Sequence, residues 1–224
     1  MAYLNDAERK QISDAVGAAE LTTAGEIVTV LADRSDGYSD VALWWAVGAS
    51  FTAMSLFAAL PTPFLDLYDA LIGGWSHEWT TGELASMTIA LGLITFIAVL
   101  AIQQWQALKF WLIPNPVKTA RCHAQAIKHF KVGAERRTHG RTGVLIYLSM
   151  SEHRAEIVAD DSIAELVDAE VWGEAMGDML SHIKRGYIAD GMAAGVRDVG
   201  FVLSQHFPRG EDDENELPDR LIEV

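Results

Sequence analysis

The chain has 224 residues, half of them hydrophobic, and a formal net charge of −14. That length fits one soluble domain plus a short membrane region. A single cysteine, Cys122, excludes an intramolecular disulfide framework and agrees with a reducing compartment. The opening Met-Ala-Tyr-Leu-Asn-Asp-Ala-Glu has no basic n-region and no apolar h-region, so it does not read as a signal peptide.

Residues 5–20 read as an amphipathic helix. Asn5 and Glu8 have capping-box spacing, and Leu4, Ile12, Ala15, Val16 and Ala19 recur with a period near 3.6. Thr22-Thr23-Ala24-Gly25 breaks it. The β-branched run Glu26–Asp33 then reads as a strand.

Two stretches follow, Val41–Leu65 and Leu84–Leu108, each of 25 residues without Asp, Glu, Lys or Arg. About 20 apolar residues cross a ~30 Å hydrocarbon core, so both are long enough to span a bilayer. Trp44, Trp45, Trp105 and Trp111 sit near their outer ends, where indole rings favour the headgroup level. The alternative is a hairpin buried in a soluble core. Pro61-Thr-Pro63 closes the first stretch and Pro114-Asn-Pro116 follows the second. Between them, Asp66, Leu67, Tyr68, Leu71 and Trp75 suit a short interfacial helix, and Thr80 with Glu83 suits a second capping box.

The 61–83 loop has no Lys or Arg, whereas the outer flanks carry Arg34, Lys109, Lys118 and Arg121. The positive-inside rule therefore predicts a two-pass protein of the bacterial cytoplasmic membrane, with both termini cytoplasmic and the loop outside. Neither span holds an ionisable group in its central part, so neither suggests an ion path. Small and hydroxyl residues such as Ser50 and Gly92 suit helix packing.

Residues 105–141 carry eight Lys/Arg against one acid. Lys109, Lys118, Arg121, Lys128, Lys131, Arg136 and Arg137 form a basic patch suited to anionic lipid headgroups. No nucleic-acid motif accompanies it. Residues 117–133 read as a basic helix, 143–149 as a buried strand and 154–159 as a strand antiparallel to it. A short helix follows to about Val167, then helices over Trp172–Arg185 and Asp190–His206. Residues 209–224, rich in Asp and Glu, read as a disordered acidic tail.

A lone strand at 26–33 needs partners, and 143–149 and 154–159 are the ones available. Helix 117–133 then becomes a right-handed crossover between parallel strands. The predicted fold is an α/β domain with a small mixed sheet, split by a transmembrane helical hairpin. Residues 1–40 form its first part, 41–112 the hairpin, and 113–208 its second part.

The junction Glu20-Leu-Thr-Thr-Ala-Gly-Glu-Ile, the strand Arg141-Thr-Gly-Val-Leu-Ile-Tyr-Leu-Ser and the run Glu152-His-Arg-Ala-Glu-Ile-Val-Ala-Asp-Asp-Ser-Ile163 resemble the TPM-domain family. The likeness is to its bacterial membrane subgroup, in which a two-helix insertion splits the domain. It covers about residues 5–35 and 117–207. It implies a three-layer α/β/α sandwich. It also implies that phosphatase activity and divalent-cation binding occur in some relatives, while many members have no assigned activity. Ser162 stands where the subgroup usually carries Gly.

Strand direction sorts the acids into two edges. Asp33, Ser149, Ser151 and Glu152 fall at one; Glu26, Arg141, Asp160 and Asp161 fall at the other. The second edge is the first candidate site for an ion or phosphate. Asp160 and Asp161 are its candidate ligands for Ca²⁺ or Mg²⁺, which prefer hard oxygen donors. The same two acids suit a plain helix cap. The loop Arg136-Arg137-Thr-His139-Gly-Arg141 could fork onto phosphate, face lipid or stay solvated. No zinc motif and no Gly-x-Ser-x-Gly elbow is present.

Three functions remain open. One is a membrane-tethered interaction or regulatory module, binding the bilayer and other membrane proteins. Another is a divalent-cation-dependent phosphatase-like hydrolase. The last is a structural subunit of a membrane complex.

Overall fold

The computed structural model describes residues 3–72, 78–133, 142–210 and 217–224. They form two compact units, Met1–Asp36 with Asn115–Val224, and Gly37–Pro114. In chain order the elements begin with α1 Asp6–Glu20, β1 Glu26–Ala32, α2 Ser39–Ala59, α3 Pro61–Ile72, α4 Thr81–Ile102 and α5 Gln106–Leu112. After them come α6 Asn115–Gly133, β2 Gly143–Ser149, β3 Arg154–Ala159, α7 Asp161–Ala164, α8 Ala169–Ile183, α9 Ile188–His206 and β4 Ile222–Glu223.

The discontinuous unit is built on β1. Every residue of β1 and β2 is buried, as suits strands covered on both faces. They pair in parallel from Glu26↔Gly143 to Ala32↔Ser149, and β3 pairs antiparallel with β2. Alternate residues of β1 face opposite layers. Val28 and Val30 join Cys122, Ala126 and Phe130 of α6 in one core cluster. Ile27 joins Val16 of α1, Met179 of α8 and Val196, Val199 and Leu203 of α9 in another. Helices therefore cover both faces. Gly191 lets α9 approach α8, since a Cβ there would stand 2.7 Å from the Met179 carbonyl oxygen. The Asn5–Glu8 capping box is present, with bonds of 2.9 and 2.7 Å.

The sheet has four strands, in the order β3-β2-β1-β4. The fourth corrects the expectation of a disordered tail over 209–224. Residues 211–216 lie outside the described residues, but Leu217 is buried and Ile222–Glu223 pair in parallel with β1. The Val224 N–H donates to the Leu31 carbonyl at 3.1 Å, and the Asp33 N–H donates to the Val224 carbonyl at 2.9 Å. The physical reason is the open edge of β1, whose backbone groups need partners. Leu217, Leu221, Ile222 and Val224 supply apolar side chains that the neighbouring acids mask in composition.

The Gly37–Pro114 unit centres on α2 and α4. The Ser50 hydroxyl donates to the Gly92 carbonyl at 2.8 Å, and a Cβ on Gly92 would lie 2.5 Å from the Met54 sulfur. The Gln103 amide donates to the Ala42 carbonyl at 3.1 Å. Both helices are long and apolar enough to cross a membrane, yet only 11% and 6% of their most apolar windows are buried. Helix α3 starts directly at Pro61, a position where the missing N–H costs nothing. Trp75 lies outside the described residues.

Candidate functional site

The edge where β1 and β2 begin collects buried carboxylates. Asp160, delivered there by β3, accepts from the Gly143 N–H at 2.9 Å and donates its own N–H to the Gly143 carbonyl at 3.0 Å. It occupies the N-cap position of α7, but its carboxylate makes no capping bond. Glu26 begins β1 and accepts from the Leu217 N–H at 3.2 Å. Both are 6% exposed. The structure thus brings Glu26 and Asp160 to one edge through Gly143, with exposed Asp161 beginning α7 beside them. Arg136, Arg137, His139 and Arg141 lie outside the described residues.

Two further acids join this edge that sequence reasoning missed. Glu20, the last residue of α1, is 6% exposed and accepts from the Ile27 N–H at 2.9 Å. Burial pushes its pKa up to about 8, helped by the Glu26 and Asp219 carboxylates. Glu20 therefore holds a proton at neutral pH. Asp219 comes from the segment expected to be disordered, and its carboxylate packs close to Gly17. The sequence signal for Glu20 was its place at the head of the Glu20-Leu-Thr-Thr-Ala-Gly-Glu-Ile junction, which said nothing of its burial. Among the described residues, no three His, Cys, Asp or Glu side chains are grouped to hold a metal ion. Glu20, Asp160 and Glu26 instead hold the backbone N–H groups of Ile27, Gly143 and Leu217.

The opposite edge is also knitted together. The Ser149 hydroxyl donates to the buried Glu152 carboxylate, which accepts from the Ser35 N–H at 2.9 Å. Ser35 and Tyr147 share a hydroxyl hydrogen bond of 3.1 Å. The Tyr3 hydroxyl donates to Asp33 at 2.6 Å. Burial pushes the Cys122 thiol up to about 11, so it is not an activated nucleophile.

The predicted basic patch divides between the units. In α6, Lys128 and Lys131 are exposed and Lys118 is partly so, while Arg121 pairs with Asp36 at 2.6 Å. Lys109 of α5 donates to the Gly37 carbonyl.

Residues 118–201 match the family model described as the TPM domain. That stretch of the chain is similar to the TPM domain. The match runs from α6 into α9, so α1 and β1 of the TPM unit lie outside it. No curated protein matches the chain. Among solved structures it is similar to the NMR structure of the BA42 protein from the psychrophilic bacterium Bizionia argentinensis. That likeness has 18% identity and a TM-score of 0.56, over 99% of this chain and 95% of that one. At such identity the likeness speaks for the fold alone, not for an activity.

Proposed function

We propose that this protein is a TPM domain anchored in the bacterial cytoplasmic membrane by the α2–α4 hairpin, working as an interaction or regulatory module. One observation carries the anchor: α2 and α4, of 21 and 22 residues, each contain an 18-residue apolar window of which only 11% and 6% is buried. In water such faces are a severe liability; in lipid they match the solvent. Exposed Trp44, Trp45, Trp105 and Trp111 gather at the end of the hairpin away from the 61–83 loop, where the Trp45 indole N–H donates to the Leu112 carbonyl at 3.2 Å, and suit one headgroup level. Lys118, Lys128 and Lys131 suit anionic headgroups on the cytoplasmic side.

The interaction role is supported by the acidic edge. Glu20, Glu26 and Asp160 each hold a backbone N–H, which fits carboxylates that fasten the fold. Cysteine labelling tests the anchor. A cysteine at Gly74 is labelled by an external impermeant reagent and one at Asp14 is not; the reverse pattern overturns the orientation. A metal-dependent phosphate-release assay tests the role. No release above background agrees with a module, whereas release lost in Asp160→Asn/Asp161→Asn restores the hydrolase.

A further inference from the structure

Two cavities adjoin at the loop end of the hairpin. The larger, about 650 Å³, is lined by Tyr68 and Asp69 of α3, Trp79, and Glu83 at the start of α4. The smaller, about 210 Å³, is apolar and lined by Phe57, Phe64, Leu67, Leu71 and Leu91. They share Tyr68 and Met87, so a chamber that carries two carboxylates and two aromatic rings opens beside a wholly hydrophobic one. From this geometry we propose a binding site for an amphiphile with an ammonium headgroup, its cation in the larger cavity and its acyl chain in the smaller.

The chemistry of the larger cavity selects a cation. Tyr68 and Trp79 meet edge to face, with ring centroids 5.4 Å apart. Aromatic faces attract an ammonium through their quadrupoles. Asp69 adds a carboxylate that has no hydrogen-bond or ion-pair partner among the described residues. Glu83 adds a second, whose Oε2 accepts from the Thr80 N–H at 2.9 Å. No Lys or Arg occurs between residues 35 and 108 to pair with Asp69. The smaller cavity has no polar work to do. Phe57 and Phe64 pack edge to face at 5.6 Å to form its wall. A purely inorganic cation would leave it empty; an alkyl chain fills it.

The site rests on the membrane reading, because that reading puts it at the headgroup level. The test uses the full chain in nanodiscs, with empty nanodiscs as the blank and dodecyltrimethylammonium as the probe. Saturable binding of the probe is expected, with none of dodecyl sulfate. Tetramethylammonium, which lacks the chain, binds about tenfold more weakly or worse. Asp69→Asn and Tyr68→Leu each weaken the probe about two- to fivefold, the size expected for a partly exposed cation contact. Equal affinity in wild type and both variants, or equal binding of dodecyl sulfate, overturns the site. Native mass spectrometry from discs mixing phosphatidylethanolamine with phosphatidylglycerol separates the sources. Retained phosphatidylethanolamine that is lost in Asp69→Asn assigns a lipid headgroup. Probe binding without it assigns a free amphiphilic amine. The two readings also fail separately. A chain that leaves the membrane in carbonate but binds the probe through Asp69 keeps the site and loses the anchor. A membrane-retained chain without Asp69-dependent binding loses the site alone.

Discussion

In α9, Met192, Val196 and Val199 are sealed from solvent, whereas in α4 Ile89, Leu93, Ile94 and Ile97 are exposed although that helix is more apolar throughout. The capping box that opens α1 in the TPM unit also opens α4 in the hairpin unit. Local rules therefore apply equally to both units. What differs is where the apolar surface goes. The TPM unit turns it inward around a sheet, and its buried carboxylates are occupied with backbone N–H groups. The hairpin packs a seam along Ala42, Ala46, Ser50, Met54, Gly92 and Gln103 and turns much of its other apolar surface outward. Burial of apolar area stabilises the first in water; the second needs a different solvent.

Four substitutions test that contrast, in falling order of effect. Met192→Ala opens a cavity in the TPM core and should cost about 2–5 kcal/mol in denaturant unfolding. A loss of well under ~1 kcal/mol would mean that the core is looser than the buried positions imply. Ile94→Arg places a charge on the outward face of α4 and should cost about 3 kcal/mol in insertion, read as extraction by carbonate. Unchanged retention would break the comparison outright.

The third concerns Glu20. Its folded pKa, about 8, lies above the ordinary glutamate value of 4.5, so the folded state binds the extra proton. Stability should then fall as pH rises from about 4.5 to about 8, the interval between those two values. Thermal melts of Glu20→Gln should lose that slope while keeping the wild-type melting temperature near pH 5. The smallest effect is Asn5→Ala, which removes a cap worth about 1 kcal/mol and should leave membrane retention untouched.

How much was legible follows from range. Capping at Asn5–Glu8 and Thr80–Glu83 depends on neighbours three residues apart, and both were readable. The parallel pairing of β1 with β2 was readable because a buried strand demands a partner and few were available. The meeting of Glu26 and Asp160 followed from that topology. What Asp160 does there was not readable: a helix cap is the local expectation, but the Gly143 N–H wins because β2 begins beside it. β4 was hidden because two residues carry no period and six flanking residues are mostly acidic. Glu20 was hidden because its burial depends on β1 and on Asp219, both distant in sequence or direction.

The order of the sheet bears on how the molecule is made. β1 leaves the ribosome before the hairpin, while its partners β2 and β4 are synthesised after it. Closing so long a loop adds little to the equilibrium cost, since each doubling of loop length adds only about 0.6 kcal/mol. The burden is kinetic. Non-local pairings form slowly, and an unpaired apolar strand is open to wrong partners while it waits. If the hairpin is the anchor proposed above, biogenesis has a fixed order: β1 is kept unpaired, the hairpin is handed to the insertion machinery, and the sheet closes last. A delay at insertion would show itself as aggregation of the soluble part, far from the membrane step that caused it.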